Sequence, residues 1–212
     1  MDNVPPCPPT LRVSNICDQA DPGTPISEFE NRLSWTNPTE VCAETDDVAG
    51  YYVYYAPTEG ADFTRIATVG SAEDTIFIDV PDLGIAGCYT VTAIDSFANE
   101  SDFSNVICVD NCPIYELPNA FTPNQDGQND IFRPYPYRFV ERIQMQIFNR
   151  WGQLVYETTN PDIEWNGVNL SGTDLPEGVY YYTCQVFERR VTGIEQRPDL
   201  LKGYIHLIRG ER

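Results

Sequence analysis

Two residues in the C-terminal half have the types that nucleophilic chemistry needs: Cys184 and His206, the one histidine of the chain. A thiolate nucleophile requires an imidazole within hydrogen-bond reach. The spacing argues against that pairing. Cys184 falls in Gly178–Phe187 on the same alternating face as Tyr180, Tyr182 and Val186, which tucks the thiol inside a strand as a small hydrophobe. His206 alternates with Tyr204 and Ile208, the pattern of a packed or edge histidine. There is no G-x-S-x-G, no phosphate-cradling loop and no His-rich metal set. The 32 Asp and Glu leave a glycosidase-like carboxylate pair open, but no spacing selects one. The reading is that the chain is not an enzyme, and that any activity of the natural protein lies upstream of Met1.

Asn124-Gln-Asp-Gly-Gln-Asn-Asp130 is the second chemical candidate. Side-chain oxygens at Asn124, Asp126 and Asp130 around a central Gly resemble the first half of a calcium loop. No bidentate Glu follows at the right distance. The alternative is an Asx-turn network that holds an irregular loop. No other cofactor is expected.

Seven cysteines form the third set. They contain no close C-x-x-C pair, so a Cys/His zinc site is not expected. Six of them, Cys7, Cys17, Cys42, Cys88, Cys108 and Cys112, lie within residues 1–112. An even set confined to one small domain indicates disulfides and an oxidising compartment.

Composition sets the frame that must position these groups. With 13 Tyr, 10 Phe, 3 Trp, 17 Pro and 14 Gly in 212 residues, short aromatic runs cut by turn residues indicate an all-β protein of two domains. The net charge of −19 argues against nucleic acid, whose phosphates need a basic surface. Residues 1–112 carry 19 acidic and 3 basic groups, whereas residues 113–212 carry 13 and 10. No stretch has the length and apolarity of a transmembrane segment. Residues 1–20 lack a basic start followed by an apolar run, so no signal peptide is visible, and the natural protein is expected to extend upstream of Met1.

In the first half, Pro8–Val13, Asn31–Trp35, Thr75–Val80, Cys88–Ile94 and Ser104–Cys108 read as strands. Tyr51, Val53 and Tyr55 mark another by their period of two. A Trp on an early strand, a Tyr-rich strand and Leu83 six residues before Tyr89 resemble a fibronectin type III domain. The resemblance implies a tyrosine corner, in which the Tyr89 phenol bonds upstream backbone while its ring packs in the core. If Tyr89 faces inward, Cys88 faces outward, opposite Cys108 across a hairpin that turns near Ala98. Cys7 and Cys112 at the domain ends then pair, which leaves Cys17 with Cys42. This domain, 1–112, is expected to be a disulfide-bonded spacer. The alternative is an adhesive or glycan-binding module that stacks sugars on Tyr52, Tyr54 or Phe63.

In the second half, Ile143, Met145 and Ile147 alternate, Asn149-Arg-Trp-Gly152 makes a turn, and Leu154–Tyr156 returns. Gly178–Phe187 and Lys202–Arg209 are the last strands, and Cys112–Pro118 is the boundary. Three phrases stand in order: Leu117-Pro-Asn-Ala-Phe-Thr-Pro-Asn-Gln-Asp-Gly-Gln-Asn-Asp-Ile-Phe132, Ile147-Phe-Asn-Arg-Trp-Gly-Gln-Leu-Val-Tyr156 and Leu175-Pro-Glu-Gly-Val-Tyr-Tyr-Tyr182. With the terminal Lys202–Arg209 they resemble the gliding-motility-associated C-terminal domain, the type B sorting domain of the type IX secretion system. Ile147–Tyr182, with its Trp165-Asn-Gly167 turn, also resembles the Ig-like fold of flagellar hook-capping proteins. One departure is Gln125, where the family usually has Gly.

The resemblance implies an Ig-like β-sandwich over 113–212 and passage through the periplasm of a Gram-negative bacterium to the cell surface or extracellular space. It also implies recognition by the type IX translocon and a PorP/SprF-like outer-membrane β-barrel, with cargo that is often an adhesin. Within that reading, Asn149, Arg150, Trp151 and Gly152 of the turn and Lys202, Gly203, Tyr204 and Arg209 of the terminal strand are the expected partner-binding residues. The glycines and Tyr180–Tyr182 are expected to serve the fold.

Overall fold

The computed structural model describes residues 4–209 apart from Asp18, Ala43, Glu44, Asp46 and Leu83. It divides into two compact units, Met1–Asn111 with Arg190–Gly193, and Cys112–Arg189 with Ile194–Arg212. Among the described residues no helix is long and apolar enough to cross a membrane.

The first unit is a two-layer sandwich of seven strands: β1 (Leu11–Ser14), β2 (Asn31–Trp35), β3 (Val48–Ala56), β4 (Thr64–Val69), β5 (Ile76–Asp79), β6 (Gly87–Asp95) and β7 (Ile107–Val109). One sheet runs β1-β2-β5 and the other β4-β3-β6-β7. Alternation puts Leu33 and Trp35 of β2 against Tyr51 and Val53 of β3 and Tyr89, Val91 and Ala93 of β6. The Trp35 and Tyr51 rings meet edge-on at 5.3 Å. β4 has a mostly exposed pattern, which is why periodicity does not reveal it. The expected Ser104–Cys108 strand starts three residues late. Ser101 and Ser104 instead accept the Ala93 and Val91 amides in their hydroxyl oxygens and bend the chain.

Cys88 pairs in register with Cys108 and is bonded to it. Cys88 is nevertheless buried, because β6 is covered on both faces. The other expected pairings are corrected. Cys7 is bonded to Cys42, not to Cys112. The reason is strand pairing: β1 and β2 are antiparallel with Leu11 opposite Trp35, so the chain before β1 runs beside the chain after β2. With Cys7 bonded to Cys42, neither Cys7–Cys112 nor Cys17–Cys42 forms.

Tyr89 is fully buried, but its hydroxyl donates to Asp79 (2.7 Å) and accepts from Asn31 Nδ2 (2.8 Å) instead of bonding backbone. Leu83, the other half of the expected corner, lies outside the described residues. The backbone is bonded instead by Tyr55, which donates to Ala86 O at 2.9 Å, and by Tyr51, which donates to Ala72 O at 2.8 Å.

The second unit contains β8 (Ile114–Tyr115), β9 (Ala120–Phe121), β10 (Tyr137–Arg138), β11 (Val140–Phe148), β12 (Leu154–Thr158), β13 (Gly178–Arg190), β14 (Gly193–Gln196) and β15 (Leu201–Leu207). Its main sheet runs β12-β11-β13-β15-β9, with β14 also on β13, and β8 pairs with β10 in a small second layer. Between the layers lie Ile143, Met145 and Ile147 of β11, Tyr180, Cys184 and Val186 of β13, and Trp165. Trp165 is the centre: Phe121, Phe132, Tyr156 and Tyr180 surround its ring at 5.1–6.3 Å, and its indole N–H donates to Val168 O at 2.8 Å.

The terminal strand is not simply a free edge. β9 joins it in parallel, with the His206 amide donating to Asn119 O at 2.8 Å and the Ile208 amide to Phe121 O at 3.1 Å. This cover stops at His206. Among the described residues no strand pairs with Leu201–Ile205 on that side.

Candidate functional site

The structure separates the residues that could have formed a catalytic dyad. Cys184 pairs in register with Leu201 and His206 with Val179, five positions apart, or roughly 17 Å along the sheet. Cys184 faces the core, and burial pushes its thiol up to about 12. His206 faces solvent and meets the Tyr204 ring edge-on at 5.3 Å.

The Asn124–Asp130 loop is built as a hydrogen-bond network. The Asp130 carboxylate accepts the amides of Gln125 (2.6 Å) and Gly127 (2.8 Å). Asp126 accepts the Gln128 amide at 2.7 Å and Asn124 Nδ2 at 2.9 Å, and Asn124 Oδ1 accepts the Asp126 amide at 3.1 Å. Those bonds hold the Asp126 carboxyl below the usual carboxylate range. The oxygens that a cation would need are turned onto the loop's own backbone. Among the described residues no group of three His, Cys, Asp or Glu is placed to hold a metal ion. Gln125, which departs from the family's Gly, has φ +70°, a conformation that glycine adopts without steric cost.

The aromatic candidates of the first unit are engaged within it. Arg65 lies 4.4 Å over Tyr52, Tyr54 donates to Glu100 at 2.6 Å, and Phe103 packs on Tyr54 and Phe63 at 5.1 and 6.0 Å.

The signature phrases of the second unit divide residue by residue into scaffold and surface. In the turn, Asn149 and Gly152 are scaffold. The Asn149 carboxamide oxygen accepts the amides of Trp151 and Gln153, each at 3.0 Å, and Gly152 takes φ +78°. Arg150 and Trp151 are surface: Trp151 is 74% exposed, and the guanidinium sits 4.1 Å over its ring. Along β13, Tyr180 points inward and donates to Pro176 O at 2.8 Å, whereas Val179 and Tyr181 point out. Along β15, Ile205 and Leu207 are core, while Lys202, Tyr204 and His206 face solvent. Gly203 serves packing: a Cβ there would lie 2.8 Å from Tyr182 Oη. Arg209 clamps the domain, donating to Leu175 O (2.9 Å) and Gly167 O (3.1 Å) and pairing with Asp174 (3.2 Å).

The outward residues converge. Register places Phe148, Tyr181 and Tyr204 in one row across β11, β13 and β15, with Val179 opposite His206 beside it. Asn149, Arg150 and Trp151 share a cleft of about 220 Å³ with Pro176–Tyr180. The Arg150-Trp151 turn and the aromatic row therefore stand at one end of the domain. Phe148, Val179 and Tyr181 are the members that reading the phrases misses. The signal was the alternation along Gly178–Tyr182, which splits three consecutive tyrosines between two faces.

Residues 115–207 match the family model of the CHU_C Type IX secretion signal domain. That signal marks the chain for export out of the cell. No curated protein sequence matches the chain. Among solved structures, it is similar to the pectate lyase PelI from Erwinia chrysanthemi in complex with tetragalacturonic acid. That match is 24% identical over 49% of this chain and 28% of that one, at TM-score 0.35. It is also similar to the FN1–FN3 domains of chicken CNTN1, 13% identical over 97% of this chain and 70% of that one, at TM-score 0.37. A tetra-tandem repeat in the extending region of a large adhesion protein is 14% identical over 93% of this chain and 49% of that one, at TM-score 0.35. The chain spans about a third of the length of the pectate lyases it matches, and likenesses at this level decide nothing about activity.

Proposed function

We propose that this chain, whose C-terminal domain is a type IX secretion signal, is the terminal part of a surface-displayed protein of a Gram-negative bacterium. The domain is read as a folded surface by the translocon and a PorP/SprF-like outer-membrane barrel. The disulfide-bonded sandwich ahead of it is a spacer that holds an adhesin-type cargo off the signal. The observation that carries this reading is the division of the signature phrases. Their inward residues account for core and turns; of their outward residues, Val179, Tyr181, Tyr204 and His206 share one face of the sheet, and Arg150 and Trp151 stand beside Val179 at its end. A side chain kept only for the fold has no reason to be an exposed tryptophan. Recognition of this kind is side-chain docking, supplemented by strand addition at the open side of Leu201–Ile205.

The test is a fusion of the whole chain behind a signal peptide and a fluorescent protein, expressed in a bacterium with this secretion system and the cognate barrel. Surface or medium fluorescence is the expected result. Fluorescence that stays in the periplasm overturns the reading.

A further inference from the structure

The solvent face of the main sheet carries a second feature, beyond the aromatic row. Two residues further along the same strands the side chains become amides and hydroxyls: Gln146 pairs with Thr183, and Gln144 with Gln185. This stretch floors a cleft of about 790 Å³, walled by Thr158 and Thr159 on one side and Gln196 and Leu200 on the other. Among the lining residues the single charge is Glu157. Gln185 is fixed, because its Nε2 donates to Arg197 O at 2.6 Å and leaves its oxygen available. Gln144, Gln146 and Gln196 are exposed and make no side-chain hydrogen bond to the described protein.

The chemistry of the lining selects a class of ligand. A side-chain amide offers donors and an acceptor in one plane, and a hydroxyl offers both on one atom. An apolar ligand would strip these groups of water and replace nothing. A phosphate, sulfate or uronate needs a cation in the cleft. Lys202, opposite Thr183, and Arg142, two residues before Gln144, stand on the same face but outside the lining, and Glu157 within it opposes an anion. An extended peptide binds by strand addition at a sheet edge, whereas this cleft lies over a sheet face. A neutral sugar meets each condition: hydroxyls for the amides and an apolar ring face for a neighbouring aromatic. That aromatic is present, since Tyr181 stands two residues from Thr183 on the same face and is about half exposed.

We infer that this cleft binds a neutral oligosaccharide, with hydroxyls on Gln144, Gln146 and Gln185 and a ring face against Tyr181. The inference does not rest on the secretion reading, because none of the three glutamines belongs to the signature phrases.

Affinity electrophoresis of the whole chain in gels containing dextran, galactomannan or mixed-linkage β-glucan tests it, with polygalacturonate as the charged control. Retardation by at least one neutral polymer and not by polygalacturonate is expected. The Gln144→Ala/Gln146→Ala variant should bind about tenfold more weakly, the loss of two ordinary hydrogen bonds, with its unfolding midpoint unchanged. Tyr54→Phe, in the other unit, should bind as the unaltered chain does. Three results would each overturn the assignment: no retardation by any neutral polymer, equal retardation by polygalacturonate, or undiminished binding by the double variant.

Discussion

Trp151 and Trp165 lie in the same domain and should fail in opposite ways when truncated to alanine. Trp165 is fully buried, ringed by four aromatic side chains and hydrogen-bonded to Val168 O. Its removal loses the transfer energy of the indole and leaves a cavity, about 3–5 kcal/mol, and orphans a carbonyl for about 1 kcal/mol more. Set against a total of roughly 5–15 kcal/mol for a domain, Trp165→Ala removes a large part of the stability and, toward the lower end of that range, most of the native population. Trp151 is 74% exposed and hides about a quarter of its surface. A tryptophan buries at most about 250 Å², so the hidden part is roughly 65 Å², worth about 1.5 kcal/mol as an upper bound. The exposed stack with Arg150 adds about 0.5 kcal/mol. Trp151→Ala should therefore cost 2 kcal/mol or less (an upper estimate of about that size) and leave the domain folded.

Urea unfolding followed by far-ultraviolet circular dichroism measures the first quantity, and the fluorescent export fusion measures the second. Trp151→Ala should keep its unfolding transition and lose export, whereas Trp165→Ala should lose both. Arg150→Lys keeps the charge but not the planar stack, and should fall between Trp151→Ala and the unaltered chain in export. Export of Trp151→Ala at the unaltered level would refute the idea that the exposed turn is read. A Trp151→Ala destabilisation as large as that of Trp165→Ala would refute the division into scaffold and surface.

Gly203→Ala should destabilise by about 1–3 kcal/mol, seen as a lower urea midpoint, because the new methyl meets the Tyr182 ring at 2.8–3.0 Å. Cys184 should resist iodoacetamide in the native chain and react once unfolded. Its thiol is raised from 9.0 to about 12, so the folded state keeps a proton that the unfolded state releases. That contribution is complete below about 9 and is lost as pH rises toward about 12, and Cys184→Ala should flatten this alkaline slope. Asp126 works in the other direction. Its carboxyl is depressed by Asn124 and the Gln128 amide, so its contribution is present above the ordinary carboxylate range and lost as pH falls through the folded value. Carboxyl-detected NMR should place that midpoint below 3.8, and millimolar calcium at neutral pH should leave the melting temperature unchanged.

Where one strand's own side chains decide the outcome, the sequence was legible. Asn31–Trp35 is a strand with those bounds, and Ile143, Met145 and Ile147 are core, because period-two alternation is a local property. Cys88–Cys108 followed from a hairpin, also local. Cys7 was misassigned because its partner depends on which strand lies beside β1, and nothing in residues 7–14 states that. The Tyr89 hydroxyl was misassigned for a related reason: Asp79 and Asn31 come from two other strands, whose register alternation alone does not supply. The same limit hid the face proposed to bind. Asn149–Gly152 is visible as a turn, but its neighbour Val179 is 27 positions away and is named only by the fold.

That limit bears on how a secretion signal of this kind can work. Phe148, Tyr181 and Tyr204 form one row, yet they come from three strands spread over more than 50 residues. No short segment holds them together, and each sits between inward neighbours, such as Ile147, Tyr180 and Ile205, that build the core. A core substitution therefore displaces the surface, and a surface read in this way reports that the core has formed. A fusion ending in residues 201–209 alone keeps Lys202, Tyr204 and His206 but loses their row partners. If side-chain recognition of the folded face is the mechanism, such a tag should not be exported, whereas the intact domain should be. Export of the short tag would place the signal in a linear sequence and remove the need for the sheet.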